Sequence, residues 1–299
     1  MDQLVEIKSK IQINPSRVGK KYFVKTFGCQ MNEHDSERIS GMFELDGMSK
    51  AISEEYADVL FVNTCTIREN ADDKLYGTLG QLKQWKSQKD NRKLLVGGCA
   101  AQKDKELVRE KAPWVDVVIG THNLTNVVDL LNRSEDWGPL TEIIDEIETL
   151  PTEAPSIRES EYSAWVTIQI GCNNSCTFCI VPSVRGQEIS RRPSDIVNEA
   201  KKLVDEGVKE ITLLGQNVNS YGRDLKIEGK ARPYFSQLLE QLNDIKGLER
   251  IRFTSPHPKD FKAETIESVK KLKNVCNQVH VPLQSCLLYT SDAADDGYR

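Results

Sequence analysis

The chain has 299 residues, of which 38% are hydrophobic and 28% charged, so we expect about two soluble globular domains. Its formal net charge of -5 is no nucleic-acid signature, although a whole-chain sum can hide a local basic face. No apolar run reaches the ~20 residues of a membrane span, and the start "MDQLVEIKSKIQINPSRVGK" lacks a signal-peptide core, which predicts a cytoplasmic protein with no membrane association.

The first half of the chain alternates short β-rich runs with helical patterns. The predicted strands are "YFVKTF", "ADVLFVNTC", "KLLVGGC" and "VDVVIG", and the predicted helices are "SERISGMFELDG", "NADDKLYGTLGQLKQWKSQ" and "KELVREKAP". This alternation is typical of βαβ units around a mostly parallel sheet. We therefore expect an N-terminal extension at residues 1–19 and an α/β domain at residues 20–137.

An acidic segment follows at residues 138–161, "GPLTEIIDEIETLPTEAPSIRESE". It holds seven carboxylates against the single Arg158, and three prolines that interrupt any long helix. The segment is expected to be a linker or an edge strand that marks a domain boundary.

The alternation resumes at residues 162–285. The predicted strands are "AWVTIQIG", "KEITLLGQN", "ERIRFTSP" and "QVHVPLQS", separated by the predicted helices "SDIVNEAKKLVDEG", "YFSQLLEQLNDIKG" and "AETIESVKKLKN". Four strand-plus-helix units of this kind predict part of a β/α barrel.

Three cysteines follow predicted strands of the first half directly. Cys29, Cys65 and Cys99 come just after "YFVKTFG", "VLFVNT" and "LLVGG". Ligands bind at the carboxyl edge of parallel sheets, so three thiols there could meet. The alternative, a small buried hydrophobe, is plausible for one cysteine but weaker for three at equivalent strand ends.

The stretch "GCNNSCTFCIVP" carries three more cysteines, Cys172, Cys176 and Cys179, in a polar loop after a strand. Cytosolic thiols stay reduced, which favours metal ligation or catalysis over disulfides. A structural zinc site needs a fourth ligand, and the chain's four histidines are scattered. An iron-sulfur cluster fits better, because three thiolates leave one iron open for a substrate or cofactor.

The spacing C-x3-C-x2-C, with the aromatic Phe178 before the last cysteine, resembles the signature of radical S-adenosylmethionine (SAM) enzymes. Further motifs resemble the bacterial MiaB family of tRNA methylthiotransferases over about Lys20 to Ser285. They are "TFGCQMNEHDSE", "NTCTIRENADDKLYG", "GGCAAQ", "GCNNSCTFCIVPSVRGQEISRRPSDIVNEA", "LLGQNVNSYG" and "RFTSPHP".

The resemblance implies an N-terminal parallel-sheet methylthiotransferase domain followed by an incomplete radical-SAM barrel. It also implies methylthiolation of adenine C2 in N6-isopentenyl-adenosine at tRNA position 37. Cys172, Cys176 and Cys179 would hold one [4Fe-4S] cluster and Cys29, Cys65 and Cys99 a second, with two SAM molecules used per turnover. The hydrogen at C2 is not acidic, so a radical is needed where a base would fail, and no side chain is assigned a catalytic role.

Other residues are predicted to bind the cofactor or the RNA. Phe178 is expected near the SAM adenine, and Gln216 and Asn217 could reach the cofactor, although polar strand-end residues often cap backbone groups. Arg185, Arg191 and Arg192 could hold tRNA phosphates, with an ordinary solvated face as the alternative. The expected partners of a monomeric enzyme are the tRNA anticodon loop and an electron donor such as flavodoxin or ferredoxin.

Alternative activities are distinguished by the residues around Cys29. Related enzymes modify threonylcarbamoyl-adenosine or a ribosomal protein aspartate, and both share the two cysteine triplets. "GCQMNEHDSE" and "TLLGQNVNSYG" resemble the isopentenyl-adenosine branch. A non-enzymatic iron-sulfur or zinc scaffold that binds RNA would need four ligands per metal, which Cys276 or Cys286 could complete.

The family resemblance ends after "HVPLQS". The remaining fourteen residues, "CLLYTSDAADDGYR" at 286–299, match nothing in the family pattern and are expected to be a non-native tail. Without the family's RNA-binding TRAM domain we expect weak tRNA binding, and with four of an expected six barrel units we expect poor turnover by this chain.

Overall fold

The structure is a computed structural model that describes residues 13–66, 71–146, 155–177, 179–227, 230–231 and 233–282. They form two compact units. The first contains the described residues up to Ser160 together with Ile170–Ile189, and the second contains Glu161–Gln169 and the described residues from Ser190 onward. The predicted domain limits remain predictions. No helix of the described residues is both long and apolar enough to cross a bilayer.

A six-stranded sheet forms the centre of the first unit. Its strands are β1 (Lys21–Thr26), β2 (Ser49–Lys50), β3 (Val59–Thr64), β4 (Lys93–Gly98), β5 (Val117–Ile119) and β6 (Leu140–Glu142). Their spatial order is β2-β1-β3-β4-β5-β6, and every pairing is parallel. Parallel neighbours place the carboxyl ends of their strands at one edge.

Helices connect these strands. They are α1 (Gln30–Leu45), α2 (Ala71–Ser87), α3 (Cys99–Asp104), α4 (Leu107–Lys111) and α5 (Val127–Trp137). Alternate residues of a strand point to opposite faces, so Leu60 and Val62 pack in one core with α2, α3 and α4. Val59 and Phe61 pack in a second core with α1 and α5. Both faces of the sheet are therefore covered, as parallel sheets require.

The acidic segment at 138–161 is in part an edge strand. Leu140–Glu142 forms β6 at the margin of the sheet. Further along, the backbone N–H of Ile157 donates to the Glu37 carbonyl of α1 at 2.9 Å. Residues 147–154 lie outside the described part.

The second unit contains a three-stranded parallel sheet of β7 (Ser163–Thr167), β10 (Glu210–Leu214) and β13 (Arg250–Phe253), in the order β13-β10-β7. Two short strands, β8 (Gln169–Ile170) and β9 (Ile189–Ser190), pair with each other. The segment between them in sequence belongs to the first unit and contains the helix α6 (Val181–Arg185). A further pair is β11 (Lys226–Ile227) and β12 (Lys230–Ala231), which is antiparallel.

Three helices cover the second sheet. They are α7 (Pro193–Asp205), α8 (Phe235–Asn243) and α9 (Ala263–Lys271). Ile211 and Leu213 of β10, with Leu238 and Leu239 of α8, are fully buried in its core. The mixed α/β class with parallel sheets is thus confirmed.

The sequence patterns missed some elements and misplaced another. They did not predict β2, α3 or α5, although two apolar pairs, Val127–Val128 and Leu130–Leu131, have helical spacing. The predicted strand "QVHVPLQS" is not a strand over its described residues 278–282. The chain instead approaches β13 earlier, where Val275 forms an isolated parallel bridge with Ile251. The alternation of apolar and polar residues predicted a strand here, but residues 278–282 pair with no strand in the described structure.

Candidate metal centres

Three adjacent strands deliver the first cysteine triplet to one edge of the sheet. Cys29 follows β1, Cys65 follows β3, and Cys99 begins α3 directly after β4. Burial raises the pKa of the Cys99 thiol, the Arg185 guanidinium lowers it, and charge interactions with Cys65 and Cys29 raise it. The ends of β1, β3 and β4 are paired neighbours, so the strand ends that precede the three cysteines are adjacent. Cys65 and Cys99 are buried, whereas Cys29 is half-buried.

Glycine is required where β4 turns toward Cys99. Gly98 has a φ of +91°, and a Cβ there would lie 2.4 Å from the Thr64 carbonyl oxygen and 2.5 Å from Asn63 Oδ1. Neither the conformation nor the space admits an L side chain. The backbone of β4 therefore approaches β3 closely at the point where both strands present a cysteine.

A buried polar network supports this edge. Asn32 Nδ2 donates to Asn63 Oδ1 at 3.0 Å and to the Thr64 carbonyl at 2.9 Å. Asn63 Nδ2 donates to the Asn32 carbonyl at 2.8 Å and to Ser36 Oγ at 2.9 Å. The Cys29 thiol hydrogen-bonds Asn32 Oδ1 at 3.5 Å. Neither Asn32 nor Asn63 was among the predicted site residues. Asn63 could have been noticed in the sequence, because its amide follows four consecutive apolar residues of a predicted strand.

The second triplet lies in a loop between β8 and α6. Cys172 is half-buried, and Cys176 and Cys179 are exposed. Burial raises the pKa of the Cys172 thiol, a backbone hydrogen bond at Asn174 opposes this, and charge interactions with Cys179 and Cys176 add to the rise. Phe178 lies outside the described residues. Exposed thiols in a polar loop are accessible to a ligand.

The start of this loop is tightly fixed. Gly171 has a φ of +75°, and a Cβ on it would clash with the Gln187 carbonyl oxygen at 1.9 Å. Cys172 N–H donates to the Gly186 carbonyl at 3.1 Å, and Glu188 N–H donates to Asn173 Oδ1 at 3.0 Å. These bonds hold the first cysteine of the loop, whereas the other two lie further along it.

The arginines predicted to bind RNA have different surroundings. Arg185 is 4% exposed, and its Nη2 donates to Asp35 Oδ2 at 2.8 Å. Arg191 is 3% exposed, and its Nη1 lies 2.6 Å from Glu199 Oε2 and donates to the Thr167 carbonyl. Burial and these partners occupy both guanidinium groups, so their placement argues against direct phosphate contacts. Arg192 is exposed.

The predicted cofactor residues lie after β10 in the second unit. Asn217 is fully buried, and its Nδ2 donates to Asp260 Oδ2 at 2.8 Å. Three buried amide oxygens here, those of Gln169, Gln216 and Asn217, have no hydrogen-bond partner within the described structure. Buried acceptors without donors are costly, so such a group indicates a missing donor. Gln169 was not singled out from the sequence.

The types and arrangement of the possible metal ligands indicate which metal group the site could hold. In the described part of the chain, no three Cys, His, Asp or Glu side chains are arranged to hold a single metal ion. None of its seven cysteines forms a disulfide. A zinc ion requires ligands that converge on one point, whereas an iron-sulfur cluster takes its thiolates on separate irons. Two triplets of neighbouring thiols therefore fit clusters better than single ions.

Two family descriptions match the chain in order. Residues 21–120 match "Uncharacterized protein family UPF0004", and residues 166–287 match the "Radical SAM superfamily". The first match covers β1 to β5 and all of the first cysteine triplet. The second match covers the C-x3-C-x2-C loop.

Curated relatives match about nine-tenths of the chain. The Corynebacterium efficiens protein named "tRNA-2-methylthio-N(6)-dimethylallyladenosine synthase" is 53% identical to this chain. The match covers 89% of this chain and 51% of the relative. The similarly named protein of Nocardia farcinica is 51% identical, over 89% of this chain and 54% of the relative. The chain thus spans about half the length of these relatives.

Solved structures share the fold at low sequence identity. The radical SAM methyltransferase TsrM from Kitasatospora setae superposes with a TM-score of 0.57 at 13% identity, over 89% of this chain and 59% of that one. The cobalamin-dependent radical SAM enzyme OxsB superposes with a TM-score of 0.54 at 12% identity, over 88% of this chain and 44% of that one.

Proposed function

This chain belongs to the family of bacterial tRNA methylthiotransferases within the radical SAM superfamily, and from that premise we propose its activity. The protein methylthiolates C2 of N6-isopentenyl-adenosine at position 37 of tRNA. One observation carries the proposal: β1, β3 and β4 bring three cysteines to one edge, and a separate loop of the chain carries three more. A single cluster would leave one triplet without a role.

We propose that Cys172, Cys176 and Cys179 hold a [4Fe-4S] cluster with one open iron. When bound, such a cluster supplies the electron that converts SAM into a radical able to remove a hydrogen atom from an unreactive carbon. The chain's own part is to hold the thiolates. Gly171 and the Cys172–Gly186 hydrogen bond fix the first ligand, and the exposure of Cys176 and Cys179 leaves room for SAM.

Cys29, Cys65 and Cys99 hold the second [4Fe-4S] cluster in this proposal. When bound, such a cluster would supply the sulfur of the methylthio group. The chain contributes a rigid edge: the Asn32–Asn63 network fixes Cys29 and the end of β3, and Gly98 fixes the turn into Cys99. Such fixed ligands are expected of a reactive group.

Buried hydrogen-bond acceptors in the second unit match the hydrogen-bond donors of SAM. Its ammonium and ribose hydroxyls are donors, and the amide oxygens of Gln169, Gln216 and Asn217 are buried acceptors without partners among the described residues. We add Gln169 to the predicted pair for this reason. Phe178 keeps its proposed place near the adenine.

For RNA contact, Arg192 is the arginine of the predicted three that is exposed, and phosphate binding is proposed for it alone. The proposed partner is the tRNA anticodon loop, which is single-stranded and presents its bases without duplex opening. An electron donor such as flavodoxin or ferredoxin and a cytoplasmic location complete the proposal.

Mass spectrometry of tRNA tests the activity. Cells that lack their own enzyme receive this chain, or a chimera in which the remainder of the Corynebacterium efficiens relative follows residue 285. The chimera should produce 2-methylthio-isopentenyl-adenosine, and the variant C172A/C176A/C179A should not. If threonylcarbamoyl-adenosine or a ribosomal protein aspartate gains the group instead, the substrate assignment fails. Zinc without acid-labile sulfide in the purified chain would favour the RNA-binding scaffold.

A further inference from the structure

A buried arginine connects the second cysteine loop to the first triplet within the first unit. Arg185 ends α6, the short helix that follows Cys179, and its Nη2 donates to Asp35 Oδ2 of α1 at 2.8 Å. Burial raises the pKa of the Cys99 thiol, and the Arg185 guanidinium opposes that rise. Both charged side chains are nearly inaccessible, with 5% of the Arg185 and 10% of the Asp35 side chain exposed.

The helix that carries Arg185 is held in place by other contacts. α6 packs against α3, whose first residue is Cys99. Thr121 Oγ1 donates to the Val184 carbonyl at 2.7 Å, and Thr121 N–H donates to Gln102 Oε1 of α3 at 2.9 Å. Arg185 is therefore a fixed charge at this position.

Negative charges near Arg185 would outnumber its single positive charge once a metal group is bound. Asp35 pairs with the arginine at 2.8 Å, and the thiolates of Cys29, Cys65 and Cys99 would add negative charge nearby when they hold a metal group. The guanidinium of an arginine is not deprotonated in proteins, so this buried charge is permanent. Burying a charge is costly unless it has opposite charges around it. The arginine thus has two kinds of anionic partner, a carboxylate and thiolates.

We propose that Arg185 is a positioning residue that raises the reduction potential of the iron-sulfur group held by Cys29, Cys65 and Cys99, and that Asp35 orients it and moderates this effect. The inference rests on the proposed function, because it requires that group. The potential of a cluster depends on nearby charge and on hydrogen bonds to its sulfur ligands. A fixed cation favours the reduced, more negative state, and a fixed anion disfavours it, most strongly where water is excluded.

The test measures potential and not turnover. In the background C172A/C176A/C179A only the first triplet can take up a cluster, so anaerobic reconstitution followed by EPR-monitored potentiometry reports on it alone. R185M should shift the midpoint potential downward and D35N upward, and R185K should stay near the parent. The matched control is R191M, which removes another buried arginine, one that pairs with Glu199 in the second unit. Its potential should equal the parent's.

Opposite shifts from R185M and D35N support the inference, because a merely structural role gives no reason for them. Unchanged potentials in both variants overturn it. If R185M takes up no iron, D35N decides: an upward shift supports the proposal and an unchanged potential refutes it. If the parent itself binds no iron and sulfide, the second cluster of the proposed function is wrong, which is a distinct result.

Discussion

Asn32 and Asn63 hold each other at the carboxyl edge of the first sheet. Asn32 Nδ2 donates to Asn63 Oδ1, and Asn63 Nδ2 donates back to the Asn32 carbonyl, with both side chains fully buried. The pair joins the first turn of α1, which follows Cys29, to the end of β3, which precedes Cys65. Two cysteines that are distant in sequence are thereby fixed relative to each other.

Asn63→Ala should destabilise the first unit and its metal group. The substitution removes two hydrogen bonds of Asn32 and one of Ser36 in a buried site, at a cost of about 1–3 kcal/mol. We expect a lower melting temperature and loss of iron from the first triplet, measured in the C172A/C176A/C179A background. Asn91→Ala, at an exposed position, is the control and should retain iron. Full iron content in the Asn63 variant would contradict the role of the network.

Gly98→Ala should prevent the turn into Cys99. A Cβ at this position overlaps the Thr64 carbonyl, and a φ of +91° is strained for alanine. We expect most of the protein to be insoluble, or soluble with about half the iron. Gly77→Ala in α2 is the matched control, because a Cβ there meets nothing within 4 Å. Alanine is the better helix former by about 0.5–1 kcal/mol, so this variant should melt at the same or a higher temperature. Equal solubility, iron content and melting temperature in the two variants would show that glycine is not required at position 98.

Iron analysis should distinguish the two triplets. After anaerobic reconstitution, two four-iron clusters give about eight irons per chain. Replacing Cys172, Cys176 and Cys179 by alanine should leave about half, and replacing Cys29, Cys65 and Cys99 should also leave about half. Cys276→Ala lies in neither triplet and serves as the control, with unchanged iron. A complete loss of iron from either triple variant would show that the sites are not independent.

Glu37 should make stability depend on pH. Burial raises its pKa to about 7, Glu159 and Glu33 also raise it by their charge, and Arg158 opposes this. Because the folded pKa lies above the ordinary 4.5, the stability contributed by the protonated form is complete below pH 4.5 and is lost as the pH rises through 7. Glu37→Gln cannot ionise, so it should match the parent at pH 4 and gain stability across this window.

The gain of Glu37→Gln at pH 8 is expected to be about 1 kcal/mol after a discount for the partial exposure of the side chain. It corresponds to roughly 2–4 °C in melting temperature. Thermal melts of the apoprotein at several pH values measure it. Glu240→Gln, on an exposed position of α8, is the control and should follow the parent throughout. A gain that does not grow between pH 4.5 and 7 would rule out Glu37 as the source.

Asp260 should matter for SAM because it orients Asn217. Its Oδ2 accepts from Asn217 Nδ2 at 2.8 Å, and its Oδ1 accepts from Arg223 Nη2 at 2.7 Å. Asp260→Ala releases the amide of Asn217, so we expect about tenfold weaker SAM binding, equivalent to ~1.4 kcal/mol. Equilibrium dialysis of the reconstituted chain measures this. Asp244→Ala, an exposed residue after α8, should bind SAM as the parent does. Unchanged binding by the Asp260 variant would remove Asn217 from the proposed site.

The strands and the first triplet were predictable because local sequence determines them. β3 is an unbroken run of buried residues, and parallel connectivity alone places the cysteines after β1, β3 and β4 at one edge. The surroundings of Arg185 were not predictable, since an arginine in a polar stretch has the same local pattern whether it is exposed or buried. Its partner Asp35 is 150 positions away in sequence. The position of the bridge to β13 at Val275 likewise depends on spatial neighbours.

Residues 170–189 belong to the first unit, and this limits how the gene can recombine with related genes. These residues lie in sequence between two parts of the second unit, yet Arg185 bonds Asp35 and Val184 bonds Thr121. A recombination event at the acidic segment would therefore join an Asp35 from one parent to an Arg185 from another. The two parts of the gene on either side of the acidic segment therefore cannot be exchanged independently between relatives. Contacting residues on α1, α3 and α6 should covary within the family.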